Sequence, residues 1–143
     1  DEKEVSQNLT KVVWLKSSKN QTLLFNSKNG AAKALQRVSD ELDIMSKKKP
    51  ELLKYLDVNG TFLWRKIANS DELSSHSWGI SLDINVQNSS YWQWSKKYKN
   101  TLPQEIINVF ERNGFIWGGR WEHFDTMHFE YRPEFMMLGQ LKN

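Results

Sequence analysis

Gly79-Ile80-Ser81-Leu82-Asp83-Ile84-Asn85-Val86 alternates apolar and polar residues without a break. Successive side chains of a strand point to opposite faces. Ile80, Leu82, Ile84 and Val86 therefore share one face, and Ser81, Asp83 and Asn85 the other. This is the clearest strand in the chain, with one face suited to a core and one carrying polar groups. Downstream, Phe115-Ile116-Trp117 and Met127 to Tyr131 have strand composition. Upstream, the turn signal Asn59-Gly60 precedes a strand-like Thr61 to Trp64.

Helical signals fill the intervals. Apolar residues at Ala32, Leu35, Val38, Leu42 and Met45 recur at threes and fours after Gly30. They predict an amphipathic helix ending near Lys49-Pro50. Glu51 to Leu56 reads as a second short helix, and Tyr91 to Tyr98 as another. Pro103 suits the first turn of a helix to about Asn113, with Ile106, Ile107 and Phe110 inward and Gly114 as its cap. Pro133 begins a last short helix through Met137. Helices, two strands, helices and two strands predict one α+β domain with a small, largely antiparallel sheet. Strand and helix do not alternate regularly, which argues against a doubly wound parallel sheet. Residues 1–29 are polar around Val12-Val13-Trp14-Leu15 and Leu23-Leu24-Phe25. We expect them to form an arm or short hairpin pinned onto, or tethering, a domain of residues 30–143.

Composition bounds the function. At 143 residues the chain is one domain long, and 38 % hydrophobic with 26 % charged residues is enough for a real core. A net charge of +3 is too weak to imply a nucleic-acid partner. The longest apolar runs are about four residues, as at Val12 to Leu15, so no bilayer span is predicted. Cysteine is absent, which excludes disulfides, Cys-ligated zinc, iron–sulfur clusters and thiol nucleophiles. Asp1 rather than Met opens the chain. A processed or trimmed product is expected, with room for a removed signal or anchor. Seven Trp, seven Phe and four Tyr suit either a core padded with large side chains or an aromatic groove for a glycan or peptide.

All three histidines lie in two dense polar clusters, His76 beside the alternating strand and His123 and His128 near the C-terminus. A catalytic zinc takes three nitrogen or oxygen ligands and keeps one position open. His76, Asp83 and His128 can supply them, provided a bend near Gly79 returns His76 to the face of Asp83. Asp125, three residues before His128, is placed to act as a base without binding the metal. Glu130 shares a strand face with His128 and can orient it as a hydrogen-bond acceptor. The helical zincin pattern His-Glu-x-x-His is absent. Spacing alone leaves the alternative open that each histidine is a hydrogen-bonded structural residue, and His123 is best read as structural or as part of a groove.

Ser74-x-His76-x-x-Gly79-x-x-x-Asp83, followed some forty residues on by Asp125-x-x-His128-Phe129-Glu130, resembles the zinc D-alanyl-D-alanine carboxypeptidase family. That family includes VanY-type carboxypeptidases, VanX-type dipeptidases and phage L-alanyl-D-glutamate endolysins. Gly60-Thr61-Phe62, Trp64-Arg65 and Phe115 to Gly119 agree with it, so the resemblance covers roughly Asn59 to Phe135. Ser81 departs from it, standing where the family usually has Ala or another small apolar residue.

The resemblance implies a hedgehog/DD-peptidase-like α+β fold whose sheet carries Zn2+ on His76, Asp83 and His128. It implies Asp125 as general base, Arg65 as the group that steadies the substrate carbonyl oxygen, and Ser74 as a substrate contact. Trp78, Trp117 and Trp121 are candidates for the groove wall, with the core as the equal alternative. The substrate implied is the stem peptide of bacterial peptidoglycan. Carboxypeptidase action on D-Ala-D-Ala is the first expectation and L-Ala-D-Glu endopeptidase action the second. A non-catalytic wall-binding module is the rival class, disfavoured by the presence of Asp125 and Arg65. A structural zinc domain is disfavoured by three ligands rather than four. A periplasmic or surface location and a monomer are expected.

Overall fold

The computed structural model describes residues 2–61, 78–85, 91 and 97–135. A short helix α1 (Glu2–Gln7) leads into a hairpin of β1 (Leu9–Trp14) and β2 (Gln21–Asn26). The long helix α2 (Ala31–Lys48) follows, then a 3-10 helix over Pro50–Tyr55. A second, four-stranded antiparallel sheet has the order β3-β4-β6-β5. Its strands are β3 (Val58–Gly60), β4 (Ser81–Ile84), β5 (Phe115–Trp117) and β6 (His128–Tyr131). Helix α3 (Gln104–Arg112) precedes β5. The predicted α+β class with a small antiparallel sheet is the observed one.

One core joins hairpin, helices and sheet. It takes Val12, Trp14 and Phe25 from the hairpin, Leu35, Val38 and Leu42 from α2, and Ile106, Ile107 and Phe110 from α3. The sheet adds Leu82, Ile84, Phe115 and Phe129. Leu35, Val38 and Leu42 are the residues whose spacing predicted α2. Phe110 stacks on Phe129 with ring centroids 3.9 Å apart. Burying such a ring contributes about 1.5–3 kcal/mol, so this contact clamps β6 from beneath.

The hairpin is tied to α2 through its backbone. Gln36 both accepts from Val13 N and donates to Val13 O, each at 3.0 Å. Ser39 Oγ donates to Val13 O and accepts from Leu15 N. Asp43 accepts from Ser17 N at 3.1 Å and from Ser17 Oγ at 2.8 Å. Gln36, Ser39 and Asp43 are spaced by three and four, so one helix face bonds the chain at Val13, Leu15 and Ser17, where β1 ends. The far end of the hairpin holds the segment leading into β4: Asn26 N donates to Gly79 O at 2.8 Å and Asn26 Nδ2 to Trp78 O at 3.0 Å.

Three expectations change. Asn59-Gly60 lies not in a free turn but in β3, which pairs with β4 through Val58↔Ile84 and Gly60↔Asp83 with a register shift between them. The alternating strand is shorter than Gly79–Val86. It ends at Ile84 because Asn85 turns left-handed at φ 56° and gives its N–H to Asp57 O. Pro103 stands one place earlier than expected, as the N-cap of α3 rather than inside its first turn. Gly114 has φ 90°, the conformation expected of the residue that ends that helix. Most of the expected strand 61–64, most of the expected helix 91–98 and the end of the expected helix 133–137 lie outside the described residues.

Candidate functional site

Strand pairing assembles the site. Asp83 lies opposite His128, and Ser81 opposite Glu130, across β4 and β6. Ile84 N bonds Met127 O and Tyr131 N bonds Ile80 O, so the Asp83–His128 and Ser81–Glu130 pairs fall between these ladder bonds. Those positions bring cross-strand side chains closest. All four side chains share the face away from Leu82 and Phe129, which enter the core. The alternation that defined the strand thus sorts core from chemistry.

His128 is 5 % exposed and lies between two carboxylates. Its Nδ1 is 3.1 Å from Asp83 Oδ1 and its Nε2 is 2.9 Å from Glu130 Oε1. Burial opposes a charge on this ring. The hydrogen bonds to Asp83 and Glu130, and the charges of Asp83 and Asp125, outweigh it and push the pKa up to about 9. An imidazolium donates from both nitrogens and satisfies both carboxylates. Glu130 responds in the opposite sense. Burial would raise its pKa, but its bonds to His128 and Arg132 hold it below the usual carboxylate range. Arg132 Nε donates to Glu130 Oε2 at 2.7 Å.

Two of the three expected metal ligands are therefore brought together. Zinc bonds of about 2.0–2.2 Å at a tetrahedral angle separate two donors by roughly 3.3–3.5 Å. The 3.1 Å between Asp83 Oδ1 and His128 Nδ1 is close to that spacing. Glu130 on the other ring nitrogen is the carboxylate partner that metal-binding histidines commonly have. The donor set fits a cation in place of the Nδ1 proton. Among the described residues no group of three such ligands converges. The third expected ligand, His76, lies outside the described residues, as do Arg65 and Ser74.

Asp125 is close to this cluster. The turn from Asp125 to His128 closes through His128 N and Asp125 O at 3.2 Å, and Asp125 N donates to Gly118 O at 2.9 Å. The Asp125 carboxylate is half-buried and its charge acts on His128.

Gly118 is a site residue that the sequence reading passed over as flanking text. A Cβ there would lie 2.5 Å from Asp125 O, 3.2 Å from Asp125 Cβ and 3.3 Å from His128 Cβ. The absence of a side chain at 118 lets the Asp125 turn close onto β6. The only signal in the sequence was the pair Gly118-Gly119.

The tryptophans separate. Trp117 pairs with Phe129 across β5 and β6 and so points to the core face. It is 4 % exposed and its indole N–H donates to Thr126 O at 3.1 Å. Its ring belongs to the core, the alternative weighed for it beside the groove wall. Trp121, by contrast, is 38 % exposed with its ring 5.5 Å from that of His128. Trp78 is also exposed. His123 is exposed on the loop above. Ser81 Oγ is buried without a hydrogen-bond partner among the described residues.

Residues 68–131 match the model of a family described as D-alanyl-D-alanine carboxypeptidase. The matched stretch, a little under half the chain, contains both parts of the motif from Ser74 to Glu130. It supports a peptidase. The family it supports is the zinc D-alanyl-D-alanine carboxypeptidases, the one the two-part motif resembles. No curated protein and no solved structure gives a significant match. No helix among the described residues is long and apolar enough to cross a membrane.

Proposed function

We propose that the chain is a zinc metallopeptidase that hydrolyses an amide bond in the stem peptide of bacterial peptidoglycan, with terminal D-Ala-D-Ala as the first substrate. The observation that carries this reading is the contact of His128 Nδ1 with Asp83 Oδ1, backed by Glu130 on Nε2, inside the stretch that matches the family. Asp83 and His128 would hold the metal with His76. Bound there, zinc would supply Lewis acidity, polarising a carbonyl and lowering the pKa of a water toward neutrality.

The chain's own groups do the rest. Asp125 takes a proton from the attacking water and returns it to the leaving amine nitrogen. Arg65 steadies the carbonyl oxygen as negative charge grows on it. Glu130 fixes the ring of His128 through Nε2. Ser74 and Trp78 contact the stem. Such a substrate lies outside the cytoplasmic membrane, so the periplasm or cell surface is the proposed place of action.

The test is mass spectrometry of defined muropeptides incubated with the protein, with and without a zinc chelator. Chelator-sensitive loss of one D-alanine from pentapeptide stems is the expected result. Release between L-Ala and D-Glu would assign the endopeptidase activity instead. No cleavage by a zinc-loaded protein would overturn the enzymatic reading in favour of a wall-binding module.

A further inference from the structure

We propose that Arg132 is a positioning residue of this centre, holding Glu130 against His128 so that the imidazole presents Nδ1 toward Asp83. The inference rests on the reading of Asp83 and His128 as metal ligands. Residues 128, 130 and 132 succeed one another at strand spacing, so Arg132 lies on the same face as the site. Its backbone N–H donates to Gly114 O at 2.8 Å, which fixes where the side chain starts.

The carboxylate between the two cations is divided. Glu130 Oε1 takes His128 Nε2 at 2.9 Å, and Oε2 takes Arg132 Nε at 2.7 Å. With each oxygen engaged, the carboxylate cannot rotate away from the ring without breaking a charge-assisted bond. The side chain of Glu130 is 10 % exposed, so water offers little replacement for a lost partner. Arg132 thus acts on the metal ligand through Glu130, two hydrogen bonds removed from the His128 ring.

The rival role for Arg132 is direct. It lines a cavity of about 340 Å³ with Asn26, Lys28, Asn29 and Tyr131, where a guanidinium could anchor a substrate carboxylate. The two roles differ in what they change. A positioning residue alters zinc affinity and kcat, whereas an anchor alters KM.

The experiment measures zinc Kd by competition with a chelating dye for wild type, R132Q, R132K, E130Q and the double variant. It adds muropeptide kinetics and imidazole ¹H–¹⁵N spectra of the zinc-loaded proteins. We expect R132Q to raise the zinc Kd about 10- to 100-fold, as loss of such supporting bonds does elsewhere, with R132K between it and wild type. The His128 Nε2–H signal should shift or broaden, and kcat should fall while KM stays within about two-fold. The double variant should bind zinc no more weakly than E130Q, because Arg132 acts through Glu130.

Wild-type zinc affinity in R132Q with a raised KM would overturn the proposal in favour of the anchor. Additive effects of the two substitutions would overturn it as well. If R132Q does not fold, R132K decides: a raised zinc Kd at unchanged thermal midpoint supports positioning, and wild-type affinity with a raised KM refutes it. A wild-type chain that takes up no zinc would sink the metal reading along with this one. That result is distinct from a wild type that binds zinc and an R132Q that binds it equally well.

Discussion

Two buried polar clusters do opposite things in this molecule. On α2, Asp43 is 2 % exposed and is answered by the N–H and hydroxyl of Ser17, with Lys47 at 3.9 Å. Its oxygens are spent on a turn of backbone, and the cluster closes the hairpin onto the helix. On β4 and β6, one imidazole faces the carboxylates of Asp83 and Glu130 under the further charge of Asp125. Among the described residues these carboxylates face the His128 imidazole and, at Glu130 Oε2, the Arg132 guanidinium. Burial of a charge does not by itself mark a functional site. What marks this one is a buried imidazole with a carboxylate on each ring nitrogen, inside the stretch that matches the family.

The largest effect that separates the clusters concerns Asp125. Asp125→Ala should lower muropeptide hydrolysis by at least about 10²- to 10⁴-fold while zinc content stays near one per chain. Activity that survived would remove Asp125 as the base. Asp43→Ala should leave the specific activity of the folded protein unaltered.

The next difference lies in pH. In chelated protein the pKa of His128 is raised to about 9 from an ordinary 6.5. A raised pKa stabilises the fold most below about 6.5, and this contribution is lost as pH rises through about 9. It amounts to roughly 3 kcal/mol, read as a thermal midpoint falling over that window. Zinc competes with the Nδ1 proton, so zinc affinity should rise over the same window. A flat midpoint in chelator would contradict the doubly bonded imidazolium.

Asp43→Ala should cost about 1.5–3 kcal/mol in chemical denaturation, the range for hydrogen bonds to a charged group. Gly118→Ala should cost about 1–3 kcal/mol and depress activity as well, since its Cβ meets both Asp125 and His128. Smallest is Ser81→Ala. It removes a buried hydroxyl that has no partner among the described residues, and should be neutral or stabilising by about 1 kcal/mol. Clear destabilisation would mean that the hydroxyl is engaged in solution.

Periodicity made much of this fold legible. The alternation over residues 80–84 separated Leu82 and Ile84 from Ser81 and Asp83 correctly, and the threes and fours from Ala32 to Met45 located α2. Those signals work because burial on one face imposes them locally. Helix α1 carries no such signal, since only Val5 is buried in it. Strand β3 was hidden for another reason: Asn59-Gly60 reads as a turn, and only pairing with β4 makes it a strand. The roles of Gln36, Ser39 and Asp43 leave no periodic trace, because the groups they bond lie more than twenty residues away in the chain.

The site divides in the same way. Asp83 and His128 were legible as a pair because residue type, order and spacing coincide, and the strands bring them together. Trp117 was ambiguous until β5 was registered against β6, which turned it to the core. The spacing of 128, 130 and 132 allows the tie from Arg132 to Glu130, whereas the close approach of Gly118 to Asp125 and His128 is a tertiary fact that no spacing encodes.

The proposed cation donors are Asp83 and His128, with Glu130 on Nε2 as the supporting partner, and a zinc titration of metal-free protein followed at the His128 imidazole by ¹H–¹⁵N spectra is the decisive test. Saturation at one zinc per chain is expected, with loss of the Nδ1 proton and retention of the Nε2–H bonded to Glu130, and no saturation in Asp83→Ala. Zinc uptake that leaves the His128 resonances unmoved, or no uptake at all, would contradict it.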